Sequence, residues 1–157
     1  MTDLYVKVTS SFWDLKHNIK PRHHSMMGHS QFLVEYLPGE WAHPETPFPS
    51  KLFIFKDLAV CIENVKLSPA PEIADYFEGT IAWWCEAIKP FYPTTFLWGP
   101  PDDVIQQYWQ VYERDGFIGS KAFARCYYRR GTGTMMADAV KLVSCVTVSD
   151  IRKAQNG

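Results

Sequence analysis

Trp83 and Trp84 stand side by side in the run Ile81-Ala82-Trp83-Trp84-Cys85-Glu86-Ala87-Ile88, which stops at Lys89-Pro90. A run this apolar and aromatic reads as a β-strand. Successive side chains of a strand point to opposite faces, so the two indoles cannot share one core. Both faces of that sheet then need cover, from helices, a second copy of the chain or a ligand.

The remaining segments supply few regular elements. Leu4–Thr9 is β-branched and alternating, a first strand. Ser10–Ser30 is polar, His-rich and without clear period. Gln31–Leu37 is a second strand candidate, closed by the turn signal Pro38-Gly39. A loop with Pro44, Pro47 and Pro49 follows, and then Leu52–Phe55, a short buried-type strand. Asp57 is placed to cap a helix whose face is Leu58, Cys61, Ile62 and Val65. Glu72–Glu78 suits one or two helical turns ending at Gly79, with Ile73, Tyr76 and Phe77 on one side. Pro100-Pro101-Asp102-Asp103 opens a helix with the stripe Val104, Ile105, Tyr108, Trp109 and Tyr112. Residues 120–130 fit helix or strand, and Val140–Val148 is a strand with Val140, Leu142, Val146 and Val148 on one face. The expected fold is α+β: a mixed or mainly antiparallel, strongly curved sheet with two or three helices packed on it.

The length of 157 residues fits a single domain, 1–157, and no repeat or linker divides it. No apolar stretch approaches the roughly 20 residues that span a bilayer. Met1-Thr2-Asp3-Leu4-Tyr5 is not the basic start of a secretory signal, so a cytoplasmic protein is expected. Cys61, Cys85, Cys126 and Cys145 are too widely spaced for a zinc knuckle or redox pair, and they suit core positions in a reduced protein. Residues 119–157 carry seven basic and two acidic residues, whereas 51–118 carry five and ten. That asymmetry is met most simply by attraction within one domain, and nucleic acid ranks last among the partners considered.

No catalytic or cofactor motif stands out. His17, His23, His24 and His29, with Arg22 beside them, have no metal-ligand spacing, and a polar surface loop explains them. Cys85 beside Glu86 permits a nucleophile to be drawn, but its apolar neighbours suit an inert core thiol. Arg129-Arg130-Gly131-Thr132-Gly133-Thr134 offers guanidinium groups and glycine amides to an anion, yet lacks the lysine of a phosphate loop. Trp41 and His43, in the proline-rich loop, either cover a pocket or plug a sheet edge.

Leu52-Phe53-Ile54-Phe55-Lys56-Asp57, Trp83-Trp84-Cys85-Glu86-Ala87 and the segment Gly133–Leu142 together resemble an uncharacterised group of small bacterial and phage-borne proteins, over about residues 31–148. The resemblance implies a mobile-element or gene-cassette origin and no activity. The strand order is also similar to that of ADP-ribosyltransferases, which bind NAD between two sheets and use an acidic residue near a late strand. That similarity implies such a role for Glu86 or Asp138, although the chain lacks the family's Ser-Thr-Ser segment and its Arg or His on the first strand.

The expectation is a non-enzymatic binding module with an aromatic-rich surface or pocket. It needs no cofactor or metal and self-associates as a homodimer that buries one of the paired indoles. The alternative is a small transferase-type enzyme acting on a nucleotide or other anion. The candidate ligand-binding residues are Trp41, His43, Trp84, Glu86, Arg129 and Arg130. The Pro101–Asp115 helix carries its own test: Trp109→Ala should cost ~3–5 kcal/mol, as for other buried aromatic truncations. A denaturation midpoint equal to that of wild type would overturn the assigned stripe.

Overall fold

Ten residues of the first strand pair in unbroken antiparallel register with the strand that holds the two indoles, from Tyr5↔Cys85 to Asp14↔Tyr76. The computed structural model describes residues 3–25, 34–44, 51–68, 75–91, 96–97, 110, 114, 128–129 and 134–157. Its strands are β1 (Tyr5–Asp14), β2 (Ile19–Ser25), β3 (Trp41–Ala42), β4 (Leu52–Phe55), β5 (Tyr76–Ile88), β6 (Phe96–Leu97), β7 (Tyr128–Arg129), β8 (Thr134–Ala137) and β9 (Ala139–Cys145). Two α-helices are described from end to end, α1 (Leu58–Asn64) and α2 (Val148–Asn156). The main sheet runs β3-β9-β5-β1-β4-β8, with β2 also paired to β1, and every pairing is antiparallel. Strands β6 and β7 pair separately. The protein is thus α+β with an open antiparallel sheet. No described helix is long and apolar enough to cross a membrane.

The alternation expected of the indoles holds. Trp83 joins the larger core cluster with Tyr36, Ile54, Ile81, Cys85 and Leu142, on what we call the inner face. Trp84 points to the opposite, helix-covered face, beside Val6, Val8, Ala82 and Val146. There α1 and α2 lie together over the sheet, and Ile151 and Ala154 of α2 pack on this cluster. Asp57 caps α1 by accepting from Val60 N at 2.9 Å, as its sequence position suggested. Thr147 and Asp150 form a reciprocal capping box at the start of α2. The Asp150 carboxylate also accepts from Trp84 Nε1 at 3.2 Å. One acidic side chain therefore seats the helix and anchors the indole beneath it. Both indoles find cover within one chain, so their pairing does not by itself require a dimer.

Three sequence expectations are corrected. Tyr76–Glu78 is strand, not helix: Phe77 is buried and Tyr76 exposed, the alternation of a strand. Gly79 sits inside β5 rather than ending a helix. A side-chain carbon there would lie 2.9 Å from Ser68 Cβ, so Ser68 packs where only glycine leaves room. The polar segment after Ser10 continues β1 to Asp14 and turns through Leu15–His17 into β2. Asn18, with φ 60°, takes the left-handed position that closes this hairpin. Finally, β9 ends at Cys145, and Val148 is an exposed first residue of α2 instead of a core strand position. Capping of the new helix overrides valine's strand preference there.

Other expectations stand as follows. Leu52–Phe55 is a strand, and Pro38-Gly39 is a turn with Gly39 at φ 86°. Of the Gln31–Leu37 candidate, Val34 and Tyr36 are buried and Glu35 bridges His24, while 31–33 lie outside the described residues. Of the Pro101–Asp115 helix, Gln110 and Arg114 are helical and exposed, and its apolar stripe lies outside the described residues. Residues 120–127 and 130 lie outside them too, while Tyr128-Arg129 is strand. Because the Thr147 cap holds the start of α2, Thr147→Ala should cost about 1 kcal/mol. A lower urea midpoint at unchanged slope is the expected readout; an unchanged midpoint would show that the cap does not support the fold.

Candidate functional site

Part of the candidate set read from the sequence assembles on the outer, helix-bearing face. Trp41 pairs with Lys141 across β3 and β9, and Lys141 pairs with Glu86 across β9 and β5. Lys141 Nζ lies 5.1 Å from the Trp41 ring centroid and 2.7 Å from Glu86 Oε2. Lys141, which no local sequence signal marks, is what joins the two candidates. Trp84 shares the face of Glu86 but is occupied beneath α2. His43 is exposed, two residues beyond Trp41. Arg129 lies on β7 opposite Phe96, and Arg130 falls outside the described residues. Glu86 is thus an ion-pair partner of Lys141, and Asp138 is an ion-pair partner of Lys51. Both acidic positions singled out for transferase chemistry are engaged in salt bridges.

The inner face holds the less expected arrangement. Inward positions of a central strand are normally apolar. On β1, between the inward Tyr5 and Trp13, they are Lys7, Thr9 and Ser11, all buried. Across the hairpin, His23 pairs with Ser11 and is buried as well. Trp83 Nε1 donates to Thr9 Oγ1 at 2.9 Å, Thr9 Oγ1 and Ser11 Oγ share a hydrogen bond of 2.9 Å, and Ser11 Oγ and His23 Nδ1 share one of 2.8 Å. An indole N–H can only donate, and each hydroxyl has one proton. Run from Trp83 through Thr9 and Ser11, the bonds end with His23 Nδ1 accepting and its proton on Nε2; run from His23 Nδ1 through Ser11 to Thr9, they leave the Thr9 hydroxyl proton over. The His23 ring meets the Trp83 ring edge-on at 4.8 Å, and the Trp13 ring at 6.0 Å.

This chain of bonds divides the histidine group that the sequence presented as one loop. His23 faces the core, His17 Nδ1 contacts Asp14 Oδ2 at 2.7 Å at the hairpin turn, and His24 bridges Glu35. His29 lies outside the described residues. No group of three metal-binding side chains occurs among the described residues.

Lys7 sits at the other end of the stripe. It is 7% exposed. Its ammonium donates to the Phe53 carbonyl at 2.8 Å and lies 5.2 Å from the Tyr36 ring centroid. Among the described residues no carboxylate pairs with it. A charged hydrogen bond contributes ~1.5–3 kcal/mol and a desolvated cation–π contact about 2. The desolvation of a buried ion costs several kcal/mol. These contacts are of the same order as that cost, and among the described residues the ammonium has one hydrogen-bond acceptor. Tyr36 is 1% exposed, and its hydroxyl is buried without a hydrogen-bond partner among the described residues. Cys85 lies on the same face of the neighbouring strand. Burial pushes its thiol up to about 12, against a smaller opposing pull from Lys7, so it is no nucleophile at neutral pH.

The stripe was hidden in the sequence because strand alternation alone cannot tell polar-out from polar-in. The one local hint is that Lys7, Thr9 and Ser11 share a parity. Comparison with protein-family models, curated proteins and solved structures yields no match. The chemistry of the site is therefore read from its geometry.

Burial, aided by the nearby His24 and opposed by Glu35, holds His23 below its ordinary value of 6.5. Its contribution to stability is then complete above about 6.5 and is lost as pH falls from there through the folded value, because the unfolded chain binds the proton more readily. Unfolding free energies measured from about pH 7.5 down to about pH 5 should fall less steeply in His23→Gln than in wild type. Equal slopes would show that His23 is not the buried neutral group described.

Proposed function

We propose that this protein is a ligand-binding module whose site is the inner-face stripe of Lys7, Tyr36 and His23, walled by Trp83, and not the outer Trp41–Glu86 row. The observation that carries this is the Lys7 ammonium: buried, bonded to one neutral acceptor, and without a carboxylate partner among the described residues. A lysine kept only to support the fold would be better replaced by an apolar side chain of the same length. Groups retained at a cost in stability mark function. The rings of this face are Tyr36 under the ammonium and Trp83 beside His23, in place of the Trp41 and Trp84 rings read from the sequence. We further read the protein as cytoplasmic, in keeping with the free thiols of Cys61, Cys85 and Cys145.

Lys7→Met tests this without knowledge of the ligand. Methionine keeps the length and removes the charge. Replacing buried charged groups by apolar ones is often neutral or stabilising by about 1–4 kcal/mol. Purified Lys7→Met, in buffer free of added organic anions, should melt at or above the wild-type temperature. A variant that loses several kcal/mol, or does not fold, would make Lys7 a structural strut and overturn the assignment.

A further inference from the structure

We propose that β2 is a proton-operated latch: protonation of His23 reverses the hydrogen bonds that seat this strand and releases it from β1. The inference stands on the bonds of the hairpin and does not need the binding role given above to the inner face. Within the sheet β2 pairs with β1 alone. On its other side the described backbone bonds reach residues 34–36: Ser25 N donates to the Val34 carbonyl at 3.0 Å, and Tyr36 N to the His23 carbonyl at 2.7 Å. Residues 19–22 are exposed, His24 and Ser25 are half-buried, and His23 is the one buried residue of the strand. Its imidazole is thus the side chain that fixes β2 to the inner core, against the Trp83 and Trp13 rings. β1 keeps ten paired residues with β5, and Val34 and Tyr36 are held by their own buried side chains. β2 can therefore lift away while the rest of the sheet stands, a local opening of the kind that thinly anchored elements undergo.

The bonds themselves supply the trigger. A neutral imidazole accepts at one ring nitrogen, whereas an imidazolium donates at both. While His23 is neutral, Trp83 donates to Thr9, Thr9 to Ser11 and Ser11 to His23 Nδ1, with no proton left over. Once the ring is charged, Nδ1 must donate to Ser11, and Ser11 to Thr9. The Thr9 hydroxyl then receives two bonds, from Ser11 and from the indole, and its own proton meets no acceptor. Thr9 is fully buried and has no further hydrogen-bond partner among the described residues. A buried donor left unpaired opposes the closed state. The charge acts in the same direction. Lys7, Tyr36 and Cys85 are the ionisable side chains buried on the same face, Arg22 and His24 flank His23 along β2, and Glu35 bridges His24 from the neighbouring stretch. Glu35 is the only carboxylate of this set, and it is exposed. In the opened strand the imidazolium is hydrated, and Thr9 and Ser11 can bond to water. Proton uptake by His23 therefore favours opening.

The experiment uses the full chain, isotope-labelled, between about pH 7.5 and about pH 5. Ring-nitrogen chemical shifts report where the His23 proton sits. Amide hydrogen exchange, corrected for the pH dependence of an unprotected chain, reports opening. At the upper pH the ring should carry its proton on Nε2 alone. As pH falls from about 6.5 through the folded value of His23, exchange at the Ser25 and Tyr36 amides should accelerate by up to about tenfold for each pH unit, because the opened strand binds the proton more readily. Amides that bond across β1 and β5 should not share the acceleration. His23→Gln, which takes up no proton, should abolish it. His17 and His24 remain in that variant, so a response that survives there belongs to them and overturns the latch. Should the variant fail to fold, wild type decides by itself. A proton on Nδ1 at the upper pH, Ser25 and Tyr36 as protected at the lower pH as at the upper, or exchange that quickens equally between β1 and β5 would each overturn the proposal.

Discussion

The ten-residue pairing of β1 with β5 carries the rest of the structure, because it fixes which side chains of two central strands face each way. On β5 it sends Phe77, Ile81, Trp83 and Cys85 inward and Ala82 and Trp84 outward. On β1 it sends Val6 and Val8 outward and Lys7, Thr9 and Ser11 inward. A slip of one residue would exchange all of these at once. It would place Lys7 under the helices and remove the Trp83–Thr9 bond, so the polar stripe and the apolar helix seat are products of the same register.

The outer face is completed by local chemistry. Asp150 accepts from the Thr147 amide and from Trp84 Nε1, and these bonds hold its carboxyl below the usual range, the backbone bond first. A helix of nine residues is marginal alone. Here it is capped, packed on Trp84 and laid beside α1, and that cover meets the need that a second subunit was expected to meet. Farther along the same face, Lys141 unites Trp41 and Glu86 in an ion pair and a ring contact. Such partly exposed charge pairs contribute little to stability.

On the inner face, hydroxyls, an imidazole and an ammonium occupy positions that apolar side chains would fill more favourably. Most of the polar atoms satisfy one another in sequence from Trp83 to His23, which limits the cost. Two do not: among the described residues the Lys7 ammonium has one acceptor, and the Tyr36 hydroxyl has no partner. These two are neighbours, since the ammonium lies over the Tyr36 ring.

Much of the local structure was determined by the sequence itself. The paired indoles dictated a two-faced sheet, Asp57 marked a helix start, Leu52–Phe55 a strand and Pro38-Gly39 a turn, because each rests on alternation, capping or turn geometry that acts within a few residues. The capping box Thr147-x-x-Asp150 is an equally local signal, set at the end of a valine-rich run that reads as strand. Tertiary structure alone decided the rest. Tyr76–Glu78 became strand because β1 extends to Asp14 and offers it a partner, and the polar hairpin after Ser10 folded inward because Ser11 finds His23 across the turn. Of the candidate site, Trp41 and Glu86 were legible as residue types, but the lysine between them was not. Lys7, Tyr36 and His23 were legible only as a strand lysine, a strand tyrosine and one histidine among five. Their roles depend on burial and on missing partners, and those follow from which strands lie side by side, over separations that no local pattern spans.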